Sequence, residues 1–253
     1  MASLQTAHPP LAKAPPRVAI PDVAPALDVH DLHAAYGQSE VLHGLTFSVA
    51  PGEIVAVMGR NGMGKTTLMK TLMGLVPVKS GAIRVEGEAV AGLKSHARVA
   101  KGLAYVPQGR MIFSTMTVQE NIETGLVVTG KREIPREIFD LFPILAEFEG
   151  RRGGNLSGGQ QQQLAIARAL ASDPKVLLLD EPTEGIQPSI IKEIGAVIRT
   201  LTKNKMAVLL VEQYYDFAES LADTYAVMAR GQITHAGAGS TMQADNVRAL
   251  ISI

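Results

Sequence analysis

Short runs of apolar residues alternate with longer amphipathic stretches along most of this chain. Runs of four or five apolar residues begin near residues 54, 103, 176 and 207, and this is the length of buried strands. The stretches between them have the apolar spacing of helices. Buried strands that are separated by helices predict an α/β fold with a mainly parallel sheet covered on both faces.

The regions outside this core have different patterns. Residues 26–49 alternate between apolar and polar positions, as short strands do, and residues 82–85 continue a small β-layer. Residues from about 110 to 165 are predicted to be largely helical. Residues 1–25 contain six of the fourteen prolines and no apolar periodicity, which predicts a disordered tail without the apolar core of a signal peptide. We therefore expect the folded domain to span residues 26–253.

Composition narrows the classes of partner. Lys plus Arg and Asp plus Glu number 24 each, so the sequence predicts no basic face and no nucleic acid partner. The absence of cysteine excludes disulfides and thiolate metal sites. No apolar stretch reaches the length that spans a bilayer, so we expect membrane association to come through a partner.

A glycine-rich loop follows the first predicted core strand. Gly59, Gly64, Lys65 and Thr66 match the pattern G-x-x-x-x-G-K-[ST], whose backbone N–H groups cradle nucleotide phosphates at the start of a helix. Lys65 is expected to reach the β- and γ-phosphates, and the Thr66 hydroxyl is expected to ligate Mg²⁺. The loop supplies nine candidate nucleotide contacts: Gly59, Arg60, Asn61, Gly62, Met63, Gly64, Lys65, Thr66 and Thr67.

Two adjacent acids, Asp180 and Glu181, end the apolar run that begins at residue 176. Because side chains alternate across a strand, Asp180 can face a Mg²⁺ shell while Glu181 faces an attacking water. Glu181 is the candidate general base. Alone, such acids would more often end a strand at solvent, but behind a phosphate loop we favour the catalytic interpretation.

A second glycine motif, Leu156-Ser157-Gly158-Gly159-Gln160, precedes a segment of strong helix formers. Ser157 is the predicted cap of that helix, and its free N–H groups predict a second anion site on the same chain. The candidate contacts are Ser157, Gly158, Gly159 and Gln160.

Together these motifs resemble an ATP-binding cassette (ABC) nucleotide-binding domain from about residue 27 onward. The resemblance implies a P-loop NTPase fold with an N-terminal antiparallel β-layer and an inserted helical subdomain at about 110–165. It also implies that two chains sandwich ATP and Mg²⁺ head to tail, between the phosphate loop of one and Ser157-Gly158-Gly159 of the other. Hydrolysis would then drive a permease.

Two further positions match the family's motifs. Tyr36 matches the aromatic that stacks on adenine, although it could equally be a packed surface aromatic. Gln108 matches the glutamine that senses Mg²⁺ and links the core to the permease, so it counts among both the catalytic and the metal candidates. The apolar residues after it either form the permease groove or pack inside the helical subdomain: Met111, Ile112, Phe113 and Met116.

Two positions depart from the family pattern. Gln187 replaces an aspartate that normally crosses the dimer interface, and Gln213 stands where the switch histidine is expected. Gln213 is a catalytic candidate because it can hydrogen-bond a γ-phosphate, but it cannot carry a proton's charge as histidine can.

The sequence Val-Glu-Gln at 211–213 is typical of one of the two ATPases in branched-chain amino acid importers, and the motifs look most like the second ATPase of urea-type importers. The resemblance implies a homologous ATPase partner, with homodimers possible in isolation, together with permease subunits and a periplasmic or extracellular solute-binding protein. It also implies a position on the inner face of the cell membrane, held there by the permease. The alternatives are an importer of branched-chain amino acids or short amides, and a non-transport ABC ATPase that acts as a nucleotide-switched scaffold.

Overall fold

The computed structural model describes residues 23–252, so the tail predicted over residues 1–25 lies outside the described residues except for its last three positions. The strands of the described part form two sheets. Their bounds are β1 Leu27–Tyr36, β2 Ser39–Val49, β3 Ile54–Met58, β4 Val78–Val85, β5 Glu88–Ala89, β6 Leu103–Val106, β7 Val176–Asp180, β8 Ala207–Glu212, β9 Thr224–Ala229 and β10 Gln232–Ala238.

The helices cover the larger sheet and build a separate helical region between β6 and β7. Their bounds are α1 Lys65–Leu72, α2 Ser95–Ala100, α3 Val118–Leu126, α4 Arg136–Leu141, α5 Pro143–Glu147, α6 Gly158–Leu170, α7 Pro188–Lys203, α8 Tyr215–Leu221 and α9 Val247–Ser252. The stretch from α3 to α6 corresponds to the predicted inserted subdomain.

The larger sheet has the strand order β10-β9-β3-β8-β7-β6. The four predicted core strands are β3, β6, β7 and β8, and they pair in parallel with one another along the sheet. The prediction of a mainly parallel core is confirmed. The edge pair of β9 and β10 is antiparallel and was not predicted.

The smaller sheet has the order β2-β1-β4-β5 and is antiparallel. The expectation of short strands was wrong, because β1 and β2 have 10 and 11 residues. Their register shifts at several points, for example between Val29 and Leu32. Each irregularity resets the alternation of inward and outward side chains, so one long strand gives the sequence pattern of several short ones.

Side chains on both faces of the core sheet are buried. In β7, Leu177 and Leu179 pack with the helical region while Leu178 packs with the opposite apolar cluster. Burying each such leucine contributes about 1.5–3 kcal/mol. Because β3 and β7 both pair in parallel with β8, the carboxyl ends of these three strands lie side by side, and open α/β sheets bind ligands at that edge.

Candidate functional site

The phosphate loop joins β3 to α1, and two of its positions require glycine. A Cβ at Gly59 would lie 2.4 Å from the Met228 carbonyl oxygen. Gly64, directly before α1, has a φ of 101°, in the left-handed region that favours glycine. The loop therefore runs directly into the N-terminus of α1, where backbone N–H groups and the helix dipole favour a phosphate.

Lys65 is buried and folds back over this loop. Its Nζ donates to the carbonyl oxygen of Gly59 at 2.7 Å and to that of Arg60 at 3.0 Å. The same nitrogen lies 3.3 Å from Oε1 of Glu181. Because an ammonium group bonds a phosphate oxygen more strongly than a neutral carbonyl, an incoming phosphate can take over this charge with little movement.

Glu181 directly follows β7 and is held in one orientation by its neighbours. Its Oε1 accepts a hydrogen bond from Nε2 of Gln213 at 2.7 Å, and its Oε2 accepts one from Nε2 of Gln108 at 3.1 Å. Its φ of 50° is in the left-handed region, which costs a non-glycine residue free energy and recurs at functional sites. Glu181 thus faces the phosphate loop as an oriented acceptor, the geometry that a general base needs.

Asp180 is a buried acid with an unused oxygen. Its Oδ2 accepts a hydrogen bond from the Tyr105 hydroxyl at 3.1 Å, whereas no described residue donates to Oδ1. Burial raises the pKa of Asp180, while the contacts with Tyr105, Thr66 and Lys65 act in the opposite direction. A buried carboxylate oxygen without a donor, beside a threonine hydroxyl, fits the oxygen ligands that Mg²⁺ prefers.

Gln213 links the acid to the loop. Besides its contact with Glu181, its Nε2 donates to Oδ1 of Asn61 at 2.6 Å. Both N–H donors of the Gln213 amide are therefore used. Gln213 stands at the position where the family pattern has a histidine. Gln213 thus contacts the phosphate loop, and its catalytic role stays a prediction.

Eight of the candidate residues line one cavity of about 240 Å³. The cavity collects parts of the chain that are far apart in sequence, and the candidate residues on its wall are Asn61, Gly62, Gly64, Lys65, Thr66, Thr67, Gln108 and Glu181. Met63 is turned away, because its sulfur accepts from the backbone N–H of Arg230 at 3.4 Å. Any contact of Met63 with a bound phosphate would therefore come from its backbone.

The second glycine motif begins α6 as predicted, with Ser157 as the cap. The Ser157 hydroxyl accepts from the backbone N–H of Gln160 at 3.3 Å, and the Gln160 side chain accepts from the backbone N–H of Ser157 at 2.9 Å. This capping box uses the Gln160 amide oxygen, so a nucleotide contact from that oxygen stays a prediction. The four candidate contacts of this motif are called the signature below, and they lie outside the wall of the phosphate cavity of the same chain.

Comparisons with known proteins agree with this geometry. The family profile described as ABC transporter matches residues 42–184. The high-affinity branched-chain amino acid transport ATP-binding protein BraG of Pseudomonas aeruginosa is 43% identical over 210 residues, which is 82% of this chain and 90% of that protein. The probable branched-chain amino acid transport ATP-binding protein LivF of Archaeoglobus fulgidus is 34% identical over 215 residues, 83% of this chain and 91% of that protein.

A solved structure described as the ADP conformation of an ATP-binding cassette of an ABC transporter matches 90% of this chain and 98% of its own, with a TM-score of 0.77 and 25% identity. The chain belongs to the ABC transporter family. It is an ATP-binding subunit of that family, which hydrolyses ATP to power transport. The predicted resemblance to the branched-chain amino acid importer group is confirmed.

Homologous ABC ATPases work as dimers with transmembrane permease subunits. A dimeric bacterial ABC cassette is among the similar folds, with a TM-score of 0.76 and 21% identity over 84% of this chain and 98% of that one. Within the described residues, no helix is both long and apolar enough to cross a membrane.

Tyr36 lies at the end of β1 and is half exposed, outside the wall of the phosphate cavity. The structure is compatible with both interpretations of this residue, and stacking on adenine stays a prediction.

The apolar residues after Gln108 differ in burial. Met111 and Phe113 are exposed and line an outer groove of about 510 Å³, whereas Ile112 packs against the core of the helical region.

Two acids of this ABC ATPase were missed by the sequence reasoning. Glu212 is buried at the end of β8 and binds the segment after Glu181 through the backbone N–H of Thr183 at 3.2 Å and its hydroxyl at 2.7 Å. Glu184 accepts from Gln108 at 3.1 Å. The available signal was their position, since each lies within three residues of a candidate catalytic residue.

Proposed function

We propose that this chain is one of two ATPase subunits that energise a branched-chain-type ABC importer, and that Glu181 is the base of its ATP site. The observation that supports this most is the carboxylate of Glu181 in the phosphate cavity, oriented by Lys65, Gln108 and Gln213. A carboxylate held at the mouth of a phosphate loop can orient and deprotonate a water that attacks the γ-phosphate.

The site residues would divide the work as follows. The loop and Lys65 bind the phosphates, and Thr66, Asp180 and Gln108 would hold Mg²⁺ through oxygen atoms. When bound, Mg²⁺ would neutralise part of the charge on the β- and γ-phosphates. Gln213 would keep Glu181 directed at the water through the 2.7 Å hydrogen bond.

We further propose that the other wall of this site is the signature of the partner ATPase. The free N–H groups at the start of α6 form an anion site that lies away from this chain's own loop. A head-to-tail dimer would bring that end against the ATP of the partner. The exposed Met111 and Phe113 would offer the permease an adaptable apolar groove.

For the solute we propose urea, on the strength of the motif resemblance at residues 59–65, 160–163, 184–188 and 212–216. Branched-chain amino acids are the second candidate, because the similar proteins from Pseudomonas aeruginosa and Archaeoglobus fulgidus are named for their transport. The transport alternatives are favoured over a scaffold role, because these named relatives are transport proteins.

Uptake by a strain that lacks the gene for this chain distinguishes between the two solute proposals. We expect loss of labelled urea uptake with normal leucine uptake, and restoration by the parent chain but not by Lys65→Ala. Loss of leucine uptake with normal urea uptake would assign the protein to the amino acid branch. Normal uptake of both would refute both solute proposals.

A further inference from the structure

Glu184 shares the side-chain amide of Gln108 with the candidate base. Nε2 of Gln108 donates to Oε2 of Glu181 and to Oε2 of Glu184, with both distances at 3.1 Å. An amide nitrogen has two N–H donors, so both are used. Two carboxylates at such short range repel each other unless a donor lies between them, and the Gln108 amide is that donor.

The turn after β7 brings Glu184 to this position. The backbone N–H of Glu184 donates to the Glu181 carbonyl oxygen at 3.2 Å, so the two acids lie on one tight turn. Arg110 fixes the other side, because its Nη2 donates to the Glu184 carbonyl oxygen at 3.0 Å. Two hydrogen bonds thus join the loop of Gln108 to Glu184. One goes from Gln108 to the Glu184 side chain, and the other goes from Arg110 to the Glu184 backbone carbonyl oxygen.

The loop that bears Gln108 is itself strained. Gly109, Arg110 and Met111 have φ values of 75°, 69° and 46°, and two of these three left-handed residues are not glycine. Strain of this kind persists only where the surroundings hold it. The Arg110 contact with Glu184 and the 3.3 Å hydrogen bond from Arg168 to the Arg110 carbonyl oxygen are two such restraints.

These contacts also set the direction of the amide oxygen of Gln108. With the nitrogen of Gln108 fixed on two carboxylates, its Oε1 must point away from them. A side-chain oxygen oriented by partners on its nitrogen is how proteins prepare a metal ligand. Without Glu184, a single hydrogen bond to Glu181 would hold the amide, and the group could rotate.

We propose that Glu184 is a positioning residue that holds the Gln108 amide, with its nitrogen on Glu181 and its oxygen free for the metal of the nucleotide complex. This proposal rests on the metal role of Gln108 given under the proposed function. Glu184 is exposed, so replacing it removes no core packing and changes only this local contact.

The test measures metal affinity rather than turnover. Mn²⁺ is titrated into the full chain with a non-hydrolysable ATP analogue, and free Mn²⁺ is read by electron paramagnetic resonance. Loss of a residue that orients a metal ligand costs about tenfold in affinity, so we expect that loss in Glu184→Ala. Glu184→Gln keeps an acceptor oxygen for Gln108 and should stay within about twofold of the parent. Glu133→Ala, an exposed acid of the helical region, is the matched control.

A double-mutant cycle gives the decisive comparison. If Glu184 acts through Gln108, Glu184→Ala should add nothing to the loss seen in Gln108→Ala. Additive losses, or equal losses in Glu184→Gln and Glu184→Ala, would overturn the positioning role. A parental affinity in Glu184→Ala beside a loss in Gln108→Ala would overturn it too and leave the metal role of Gln108 intact. Parental affinity in Gln108→Ala would instead refute that metal role.

Discussion

The buried acid Glu212 should be a main source of stability at the site, and its replacement by glutamine gives a quantitative test. Its Oε1 accepts two hydrogen bonds from Thr183, and its Oε2 accepts from the backbone N–H groups of Gln213 and Tyr214 at 3.0 and 3.1 Å. All four partners are donors. Glutamine offers one oxygen and one NH₂ group, so two donors would face another donor.

Each buried donor left without an acceptor costs about 1–3 kcal/mol, and the Thr183 hydroxyl can rotate to relieve part of this cost. We therefore expect Glu212→Gln to lower the free energy of unfolding by about 3 kcal/mol. For a domain of this size, 1 kcal/mol shifts Tm by about 2–4 °C, so the loss corresponds to about 6–12 °C.

Differential scanning calorimetry of the nucleotide-free chain measures this shift. Glu133→Gln is the control, since an exposed substitution without special contacts should stay within about 0.5 kcal/mol of the parent. A Tm of Glu212→Gln that matches the control would show that the four hydrogen bonds do not stabilise the fold. Glu212 would then not hold the turn after Glu181 in place.

Three other outcomes are expected. Lys65→Ala should weaken ATP binding by about 10- to 100-fold in calorimetry, because the loop loses its charged donor; unchanged affinity would contradict the phosphate-loop assignment. Gln213→Ala in the reconstituted importer should lower hydrolysis only about 2- to 10-fold, with a far larger loss from the partner's switch residue; equal severe losses would show two equivalent sites. Burial raises the pKa of Glu212, so the folded state binds a proton on the Glu212 carboxyl group more readily than the unfolded state does. The stability gap between the parent and Glu212→Gln should thus be largest at acid pH and narrow as pH rises through the raised pKa, and a gap that widens with pH would refute this.

The parts of the fold that the sequence predicted are those with local causes. Buried parallel strands such as β7 are continuous apolar runs, and Gly64 is required locally by its left-handed φ of 101° directly before α1. The cap at Ser157 was predictable because its partner, Gln160, lies three residues away. In each case the sequence window contains the interaction.

The features that were not predicted depend on distant partners. The acceptor role of Glu212 depends on Thr183, 29 residues earlier, and Glu184 meets Gln108 across 76 residues. The strands β9 and β10 contain Thr, Tyr, Gly and His among their apolar residues, so their pattern is weaker than that of the buried core strands. Only the tertiary structure identifies these contacts.

Cross-linking between chains tests the central claim, that ATP lies between the phosphate loop of one chain and the signature of another. The sequence has no cysteine, so Asn61→Cys and Ser157→Cys can be introduced into separate chains that both carry Glu181→Gln. Mixed and treated with a short bismaleimide, they should give a cross-linked dimer with ATP and Mg²⁺, and little without nucleotide or when Lys65→Ala is added to the Asn61→Cys chain. Equal cross-linking with and without ATP, or none when ATP is bound, would contradict the account.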